Sequence, residues 1–274
     1  VISTLSSCGI NVVNIDLNTT PTTQLVIIKK KLHGGIMLTA SHNPKNWNAL
    51  KFFNEKGEFL SHDDVNEILK IESNEIKSKI YRNSHGKIND FKDSYDLHIR
   101  EILNLKYVKP DIIRKKGFKI VVDGINSSGG IIIPKLLESL NVEVIKINCI
   151  PDGNFAHDPE PLDKNLNQLK EEVLKSNADL GIAVDPDVDR LVFVSENGET
   201  ISEENTLISC ADYILSKEKG SAVSNLSSSM GLRDVCKMHG VEYFSSKVGE
   251  INVVEKMKSV NAIIGGEGNG GIIY

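Results

Sequence analysis

Short apolar runs alternate along this chain with longer stretches in which Ile, Leu and Val recur at helical spacing, and polar loops separate them. That alternation predicts an α/β fold of consecutive units of related topology, with mixed but mostly parallel sheets. Residues 1–8 read as the tail of an amphipathic helix closed by Gly9, and residues 11–16 as a strand. Thr20 caps and Pro21 opens a helix reaching about residue 32. Residues 35–39 form a second strand, which ends in the polar loop 40–44. Residues 63–78 and 93–105 have helical spacing, and Lys109-Pro110 with Lys115-Lys116-Gly117 reads as a linker.

A second unit comes next, with strands at 118–123, 142–147 and 179–184, a glycine-rich turn over 124–130, and helices at 134–140 and 162–176. Its polar loop 185–190 leads straight into a strand at 191–194. A third unit has a helix over 200–216 and strands at 222–226, 241–244 and 262–264, the last emptying into the glycine-rich stretch 265–271. The expected domains are therefore 1–108, 109–199 and 200–274. Three times an apolar strand delivers a dense polar loop at its carboxyl end, at Ser41, at Asp185 and at Glu267. Ligands bind at those ends of open α/β sheets, so the three loops are expected to converge on one cleft.

Composition narrows the class. The 274 residues, 40% apolar and 25% charged, exclude disordered, collagen-like and coiled-coil chains. No stretch approaches the ~20 uncharged apolar residues of a membrane-spanning helix. Lys and Arg number 32 against 37 Asp and Glu, a net −5 with no basic run, which argues against a nucleic-acid partner. Cys8, Cys149, Cys210 and Cys236 are widely spaced and read as reduced thiols of a cytoplasmic protein. The chain opens at Val1 and stops inside an apolar run, which reads as a piece of a longer protein.

Asp185, Asp187 and Asp189 stand at i, i+2 and i+4. Three carboxylates this close repel unless a cation sits among them, and oxygen-only ligands suit Mg²⁺ or Ca²⁺. The plainer alternative is an acidic surface turn, against which stands the apolar strand on either side. An EF-hand is excluded because its sixth position requires Gly and here is Arg190. A phosphatase of the haloacid-dehalogenase type, with an Asp-x-Asp pair, stays open. Ser41, in Thr39-Ala-Ser-His-Asn-Pro44, can accept a phosphoryl group or simply cap a turn, with His42 as a hydrogen-bonding neighbour. The G-x-S-x-G elbow of a serine hydrolase is missing from this loop. Gly266, Gly268 and Gly271 match G-x-G-x-x-G, but Gly271-Ile-Ile-Tyr274 reads as strand or turn, not the helix a dinucleotide site needs. Such a loop can instead bring Glu267 and Asn269 to a polyhydroxy ligand.

In this order, Thr39-Ala-Ser-His-Asn-Pro44, Asp185-Pro-Asp-Val-Asp-Arg190 and Gly266-Glu-Gly-Asn-Gly270 resemble the α-D-phosphohexomutases. Trp47-Asn-Ala-Leu-Lys51, Pro151-Asp-Gly-Asn-Phe155, Pro159-Glu-Pro161 and Lys247-Val-Gly249 add to the resemblance, which spans essentially the whole chain. It implies phosphohexomutase-like domains 1 to 3, the first and third incomplete, lacking an N-terminal segment and a C-terminal domain. It further implies that Ser41 is the phosphorylated serine and that Asp185, Asp187 and Asp189, with a phosphoserine oxygen, hold Mg²⁺. Arg190 would steady the phosphate and Lys51 would act as general acid/base with His42 beside it. Gly266, Glu267 and Asn269 would form the sugar-binding loop, and Lys247 would line the cleft. The implied activity is an isomerase's, an intramolecular phosphoryl transfer on a hexose or hexosamine phosphate through a hexose 1,6-bisphosphate. The loops are most similar to those of phosphoglucosamine mutases, which convert glucosamine 6-phosphate to glucosamine 1-phosphate. Phosphomannomutase, phosphoglucomutase and a non-catalytic sugar-phosphate-binding fragment are the alternatives, and oligomeric state is left open. These residues alone are expected to bind Mg²⁺ weakly and to turn over poorly, with full activity in the complete gene product.

Overall fold

The computed structural model describes residues 1–73 and 85–274. The first unit holds α1 (Ile2–Ser7), β1 (Val12–Asn14), α2 (Thr20–Lys30), β2 (Gly35–Leu38), β3 (Leu50–Phe53), α3 (His62–Ser73), β4 (Ile88–Asp90) and α4 (Ser94–Leu103). β4 pairs parallel with β1, and β3 antiparallel with β2. α2 starts because Thr19, in extended conformation, accepts the Thr22 N–H on Oγ1 at 3.1 Å, with Pro21 in the first turn. The cap is thus Thr19 and not the expected Thr20, whose hydroxyl is engaged by Asp187 instead. Val26 and Ile27 carry the buried face of this helix. The expected helix over 63–78 is present as far as Ser73, and its remainder lies outside the described residues. Where the sequence reads as a linker, Pro110–Arg114 forms a short helix, α5, with Pro110 fixing φ at its first position.

The second unit is a five-stranded sheet in the order β6-β5-β7-β8-β9: β5 (Lys119–Asp123), β6 (Glu143–Ile147), β7 (Leu180–Val184), β8 (Leu191–Ser195) and β9 (Thr200–Ile201). β6, β5 and β7 are parallel, while β8 and β9 run antiparallel. Residues 200–201, expected at the start of a helix, instead close the sheet's edge. α6 (Gly129–Ser139) and α7 (Asn167–Ser176) cover opposite faces. The period-2 alternation of β5 sorts the two cores, with Val121 packing among Leu166, Leu169 and Val173, and Ile120 and Val122 among Leu137 and Leu140. α6 begins well before the expected residue 134 and carries Pro134 inside it. The reason is close approach: a Cβ on Gly130 would lie 2.6 Å from the Cys149 backbone, and one on Gly129 2.4 Å from Val184. Glycine is kept there so that the helix can press against the strands.

The third unit has α8 (Glu204–Lys217), β10 (Ala222–Asn225), α9 (Gly231–His239), β11 (Tyr243–Ser246), α10 (Glu250–Val260), β12 (Ile264–Gly266) and β13 (Ile272–Ile273). Its sheet runs β11-β10-β12-β13, with only β13 antiparallel. α8 and α9 bury one face, and α10 packs Val253 and Met257 against Val223 on the other. Among the described residues no helix is long and apolar enough to cross a membrane.

Candidate active site

The loops after β2, β7 and β12 come together as the strand pattern predicts. The centre is the turn 185–190, which is wound around one buried side chain. Asp185 is fully buried, and its Oδ1 accepts the backbone N–H groups of Asp189 and Arg190, both at 3.1 Å. Winding the loop this tightly puts Val188 at φ 62°, a left-handed conformation that is costly for a β-branched residue. Two hydroxyls brace the strain from outside, Ser127 and Ser128 each donating to the Pro186 carbonyl at 2.7 Å.

Ser41 lies against this turn. Its backbone is also left-handed, at φ 50°, held by its N–H donating to Thr39 Oγ1 at 2.9 Å. The Ser41 hydroxyl donates to Asp185 Oδ2 at 3.0 Å, and His42 Nδ1 is 3.4 Å away. Lys51 reaches in from β3, its Nζ 2.6 Å from Asp187 Oδ2 and 2.5 Å from Asp189 Oδ2. Arg190 donates to Glu160 Oε1 at 2.9 Å, with Nη2 3.4 Å from His42 Nε2. Ser41, His42, Lys51, Arg190 and the three aspartates are therefore one contiguous cluster.

Electrostatics is set by burial and crowding. Burial, compounded by the charges of Asp189 and Asp187, pushes the Asp185 carboxyl well above the usual carboxylate range. Burial would raise Asp187 too, but the Lys51 ammonium and its hydrogen bond hold it below its ordinary value. Burial lowers Lys51, yet Asp189 and Asp187 outweigh it and keep the ammonium charged. His42 is lowered by burial and then by Arg190, against Glu160, Asp189 and Asp187, and so stays neutral at neutral pH.

A divalent cation fits this donor set. One oxygen from each aspartate lies within 4.8 Å of the others, and Asp187 Oδ1 is buried with no hydrogen-bond partner among the described residues. An orphaned, buried carboxylate oxygen among like charges is what a hard oxygen-seeking ion satisfies.

A cavity of about 410 Å³ opens beside the cluster, with Ser41, Lys51, Asp189 and Arg190 on one side and Glu250, Glu267 and Asn269 on the other. That lies within the range of about 300–1,000 Å³ typical of small-molecule sites. Glu267 is rigidly held, its Oε1 accepting from Asn225 Nδ2 at 2.7 Å and from the Gly249 N–H at 2.9 Å. Gly266 is buried where a Cβ would meet the Gly271 carbonyl at 2.2 Å, so it lets the loop fold back on itself. Lys247 is exposed beyond β11 and does not line the cavity, and Gly266 supports the loop from behind it. Sequence reasoning missed Thr20, which donates to Asp187 Oδ2 at 2.9 Å, and Thr39, which donates to the same oxygen at 3.1 Å. It also missed Glu250, although the Lys247-Val-Gly249 motif that precedes it pointed to this turn.

Residues 1–79, 95–198 and 202–274 match, in that order, sequence models of α/β/α domains I, II and III of phosphoglucomutase/phosphomannomutase. The chain is 34% identical over 275 residues to the phosphoglucomutase/phosphomannomutase of Thermococcus kodakarensis, covering 100% of this chain and 60% of that relative. It is 35% identical over 285 residues to the phosphoglucosamine mutase of Caldicellulosiruptor saccharolyticus, covering 98% of this chain and 60% of that one. A crystal structure of a phosphoglucomutase/phosphomannomutase family protein from Burkholderia thailandensis shares the fold, with a TM-score of 0.83 at 23% identity over 98% of this chain and 59% of that one. The chain thus spans about 60% of the length of the curated relatives it matches.

Proposed function

The chain belongs to the phosphoglucomutase/phosphomannomutase family, and from that premise we propose that it carries the phosphoryl-transfer centre of a Mg²⁺-dependent phosphohexomutase. In this reading the first unit bears the nucleophile, the second, whose sheet takes in Thr200 and Ile201 beyond the expected boundary at 199, the metal ligands, and the third the sugar loop. The observation that carries it is the 3.0 Å hydrogen bond from Ser41 Oγ to Asp185, which puts a hydroxyl from one unit at the mouth of an acidic triplet from another.

Ser41 Oγ would hold the phosphoryl group, exchanging it with a hydroxyl of a hexose phosphate. The sugar hydroxyl forms a new O–P bond as the Ser41 O–P bond breaks, giving a hexose 1,6-bisphosphate. Reversal at the other end of the sugar returns a phosphoryl group to Ser41. Mg²⁺ held by Asp185, Asp187 and Asp189 would supply charge neutralisation for the transferring group. Arg190, fixed by Glu160, adds a guanidinium on the same side. Lys51 lines the same cavity as Ser41 and would deliver or take the moving proton, its ammonium form being the donor state. Neutral His42 orients Arg190 and Ser41 without adding charge. Glu267 and Asn269 face the cavity with carboxylate and amide groups suited to paired sugar hydroxyls.

The preferred substrate in this reading is glucosamine 6-phosphate, supported by the name of the Caldicellulosiruptor relative and by the Gly266–Gly271 loop. A glucose or mannose phosphate is the second reading, favoured by the name of the Thermococcus relative at near-equal identity. Four free cysteines suit a cytoplasmic enzyme. The test is to incubate the protein carrying this chain with hexose 1,6-bisphosphate and Mg²⁺ and to map phosphate by intact mass and phosphopeptides. A single phosphoryl group on Ser41 and a loss of at least about 10³-fold in mutase turnover in Ser41→Ala are expected. Unchanged turnover in that variant would remove Ser41 from the role.

A further inference from the structure

Asp187 meets its surroundings through two unlike oxygens. Oδ2 accepts two hydrogen bonds, from Thr20 Oγ1 at 2.9 Å and from Thr39 Oγ1 at 3.1 Å, and forms an ion pair with Lys51 Nζ at 2.6 Å. Oδ1 accepts none among the described residues and is buried. The polarity of both threonine hydroxyls is forced. Thr39 Oγ1 receives the Ser41 N–H at 2.9 Å and Thr20 Oγ1 receives the Lys51 ammonium at 3.3 Å, and neither of those groups can accept. Each hydroxyl has one proton left, and the carboxylate, which can only accept, takes it in preference to the weaker acceptor Met37 Sδ, 3.5 Å from Thr20 Oγ1. Thr20 is anchored further by its own N–H, which donates to the Asp187 carbonyl at 2.8 Å.

We propose that Thr20 and Thr39 are positioning residues of the cation site, which clamp Asp187 Oδ2 so that Oδ1 is the oxygen presented to the ion. This role rests on the metal-dependent reading above and deepens it. Both threonines belong to the first unit and Asp187 to the second, so the ligand's orientation is set across the interface. Thr39 adds a second dependence, because the hydroxyl that holds Asp187 also holds the left-handed backbone of Ser41. A carboxylate freed from that clamp can rotate about its Cβ–Cγ bond and present either oxygen, and the site loses preorganisation.

The experiment is calorimetric titration of the protein carrying this chain with Mn²⁺, with melting temperatures measured in EDTA. Thr20→Val and Thr39→Val keep the branched shape and remove the hydroxyl, donor and acceptor alike, and each is expected to weaken Mn²⁺ binding about tenfold or more, about 1.4 kcal/mol. Thr20→Ser and Thr39→Ser restore the hydroxyl and should bind within about threefold of the parent chain. EDTA melting temperatures of the Val variants should fall by no more than a few degrees, the loss of one hydrogen bond, which alone would not account for the lost affinity. If the valine methyl unfolds a variant, Thr20→Ala and Thr39→Ala supply the same comparison without crowding. Parental affinity in the Val and Ala variants, alongside its loss in Asp187→Asn, would overturn the clamp and leave the metal site standing. So would a loss of affinity that appears only in variants largely unfolded in EDTA at the titration temperature. Equal binding by the parent chain and Asp187→Asn, or none by either, would instead reject the metal reading itself.

Discussion

Glu250 occupies the first turn of α10 on the far wall of the cavity, with Gln24 Nε2 donating to its Oε1 at 3.2 Å. Burial pushes its carboxyl up to about 7, the Gln24 hydrogen bond and Lys51 opposing and the charges of Asp189 and Glu267 adding to it. In the unfolded chain the same group ionises near its ordinary value of 4.5. Between those two values the folded protein binds a proton that the unfolded chain has released, so stability contributed by Glu250 is full at low pH and is lost as pH rises through the window. Glu250→Gln removes the titration and keeps an amide for Gln24. Its melting temperature is expected to match the parent's near pH 4.5 and to exceed it by several degrees at pH 8. A constant offset at all pH values would show that Glu250 is not the group responsible. Glu250 was not legible in the sequence because a glutamate at a helix start is ordinary, and only the fold shows that this start faces a cavity. Ser41 and the aspartates were legible because phosphoryl chemistry needs those side chains at short spacing in a loop after a strand. Thr20 was read correctly as lying at a helix start, but local capping rules could not show that a carboxylate from the next unit competes for its hydroxyl.

At the scale of elements, the glycine-rich stretch after β12 is shaped by contact with its neighbour unit as much as by its own turn. Gly270 sits at φ 92°, and a Cβ there would meet the Leu191 carbonyl at 2.5 Å. β8 is thereby a shelf on which the sugar loop rests, and the Thr206 hydroxyl donates to the same carbonyl at 2.8 Å. Gly270→Ala strains the backbone and lifts the loop, at a cost of roughly 1–3 kcal/mol. The expected result is at least tenfold weaker binding of a hexose phosphate with a smaller loss of Mn²⁺ affinity, since Gly270 packs on the Leu191 backbone while the carboxylates are held by Ser41, Lys51, Thr20 and Thr39. Parallel loss of both affinities would mean the two loops do not act independently. The β7–loop–β8 hairpin was readable from the sequence because apolar runs abut the acidic turn directly. The start of α6 was not, since two glycines and an internal proline argue locally against helix and only the packing against Val184 and Cys149 favours it. β9 was missed for a similar reason: two residues make a strand only when a neighbour such as β8 offers an edge.

On the scale of the whole molecule, the first and second units are joined at the acidic triplet, and the first and third by Gln24–Glu250 and by Lys258 with Glu58. The convergence of three loops was foreseeable from topology, because every one of them leaves the carboxyl end of a strand. The identity of the sugar was not, because Glu267 and Asn269 bind hydroxyl groups shared by many hexoses. What the assembled structure adds is that the joint between the first two units is incomplete in charge. Among the described residues Lys51 is the single ammonium within 2.6 Å of Asp187 and Asp189, and Asp187 Oδ1 has no donor. A divalent ion bound there adds most stability to the docked arrangement, since the aspartates come from the second unit and the threonines that would orient them from the first. At a free Mg²⁺ concentration of about 100 times its dissociation constant, that linkage is worth about 2.7 kcal/mol. Amide hydrogen exchange with and without EDTA locates it: Mg²⁺ should slow exchange in residues 19–30, in 39–44 and in 185–190, and leave β10 and β11 unchanged. Uniform slowing across all three sheets, or slowing confined to 185–190, would show that the ion does not act as a clamp between the first two units.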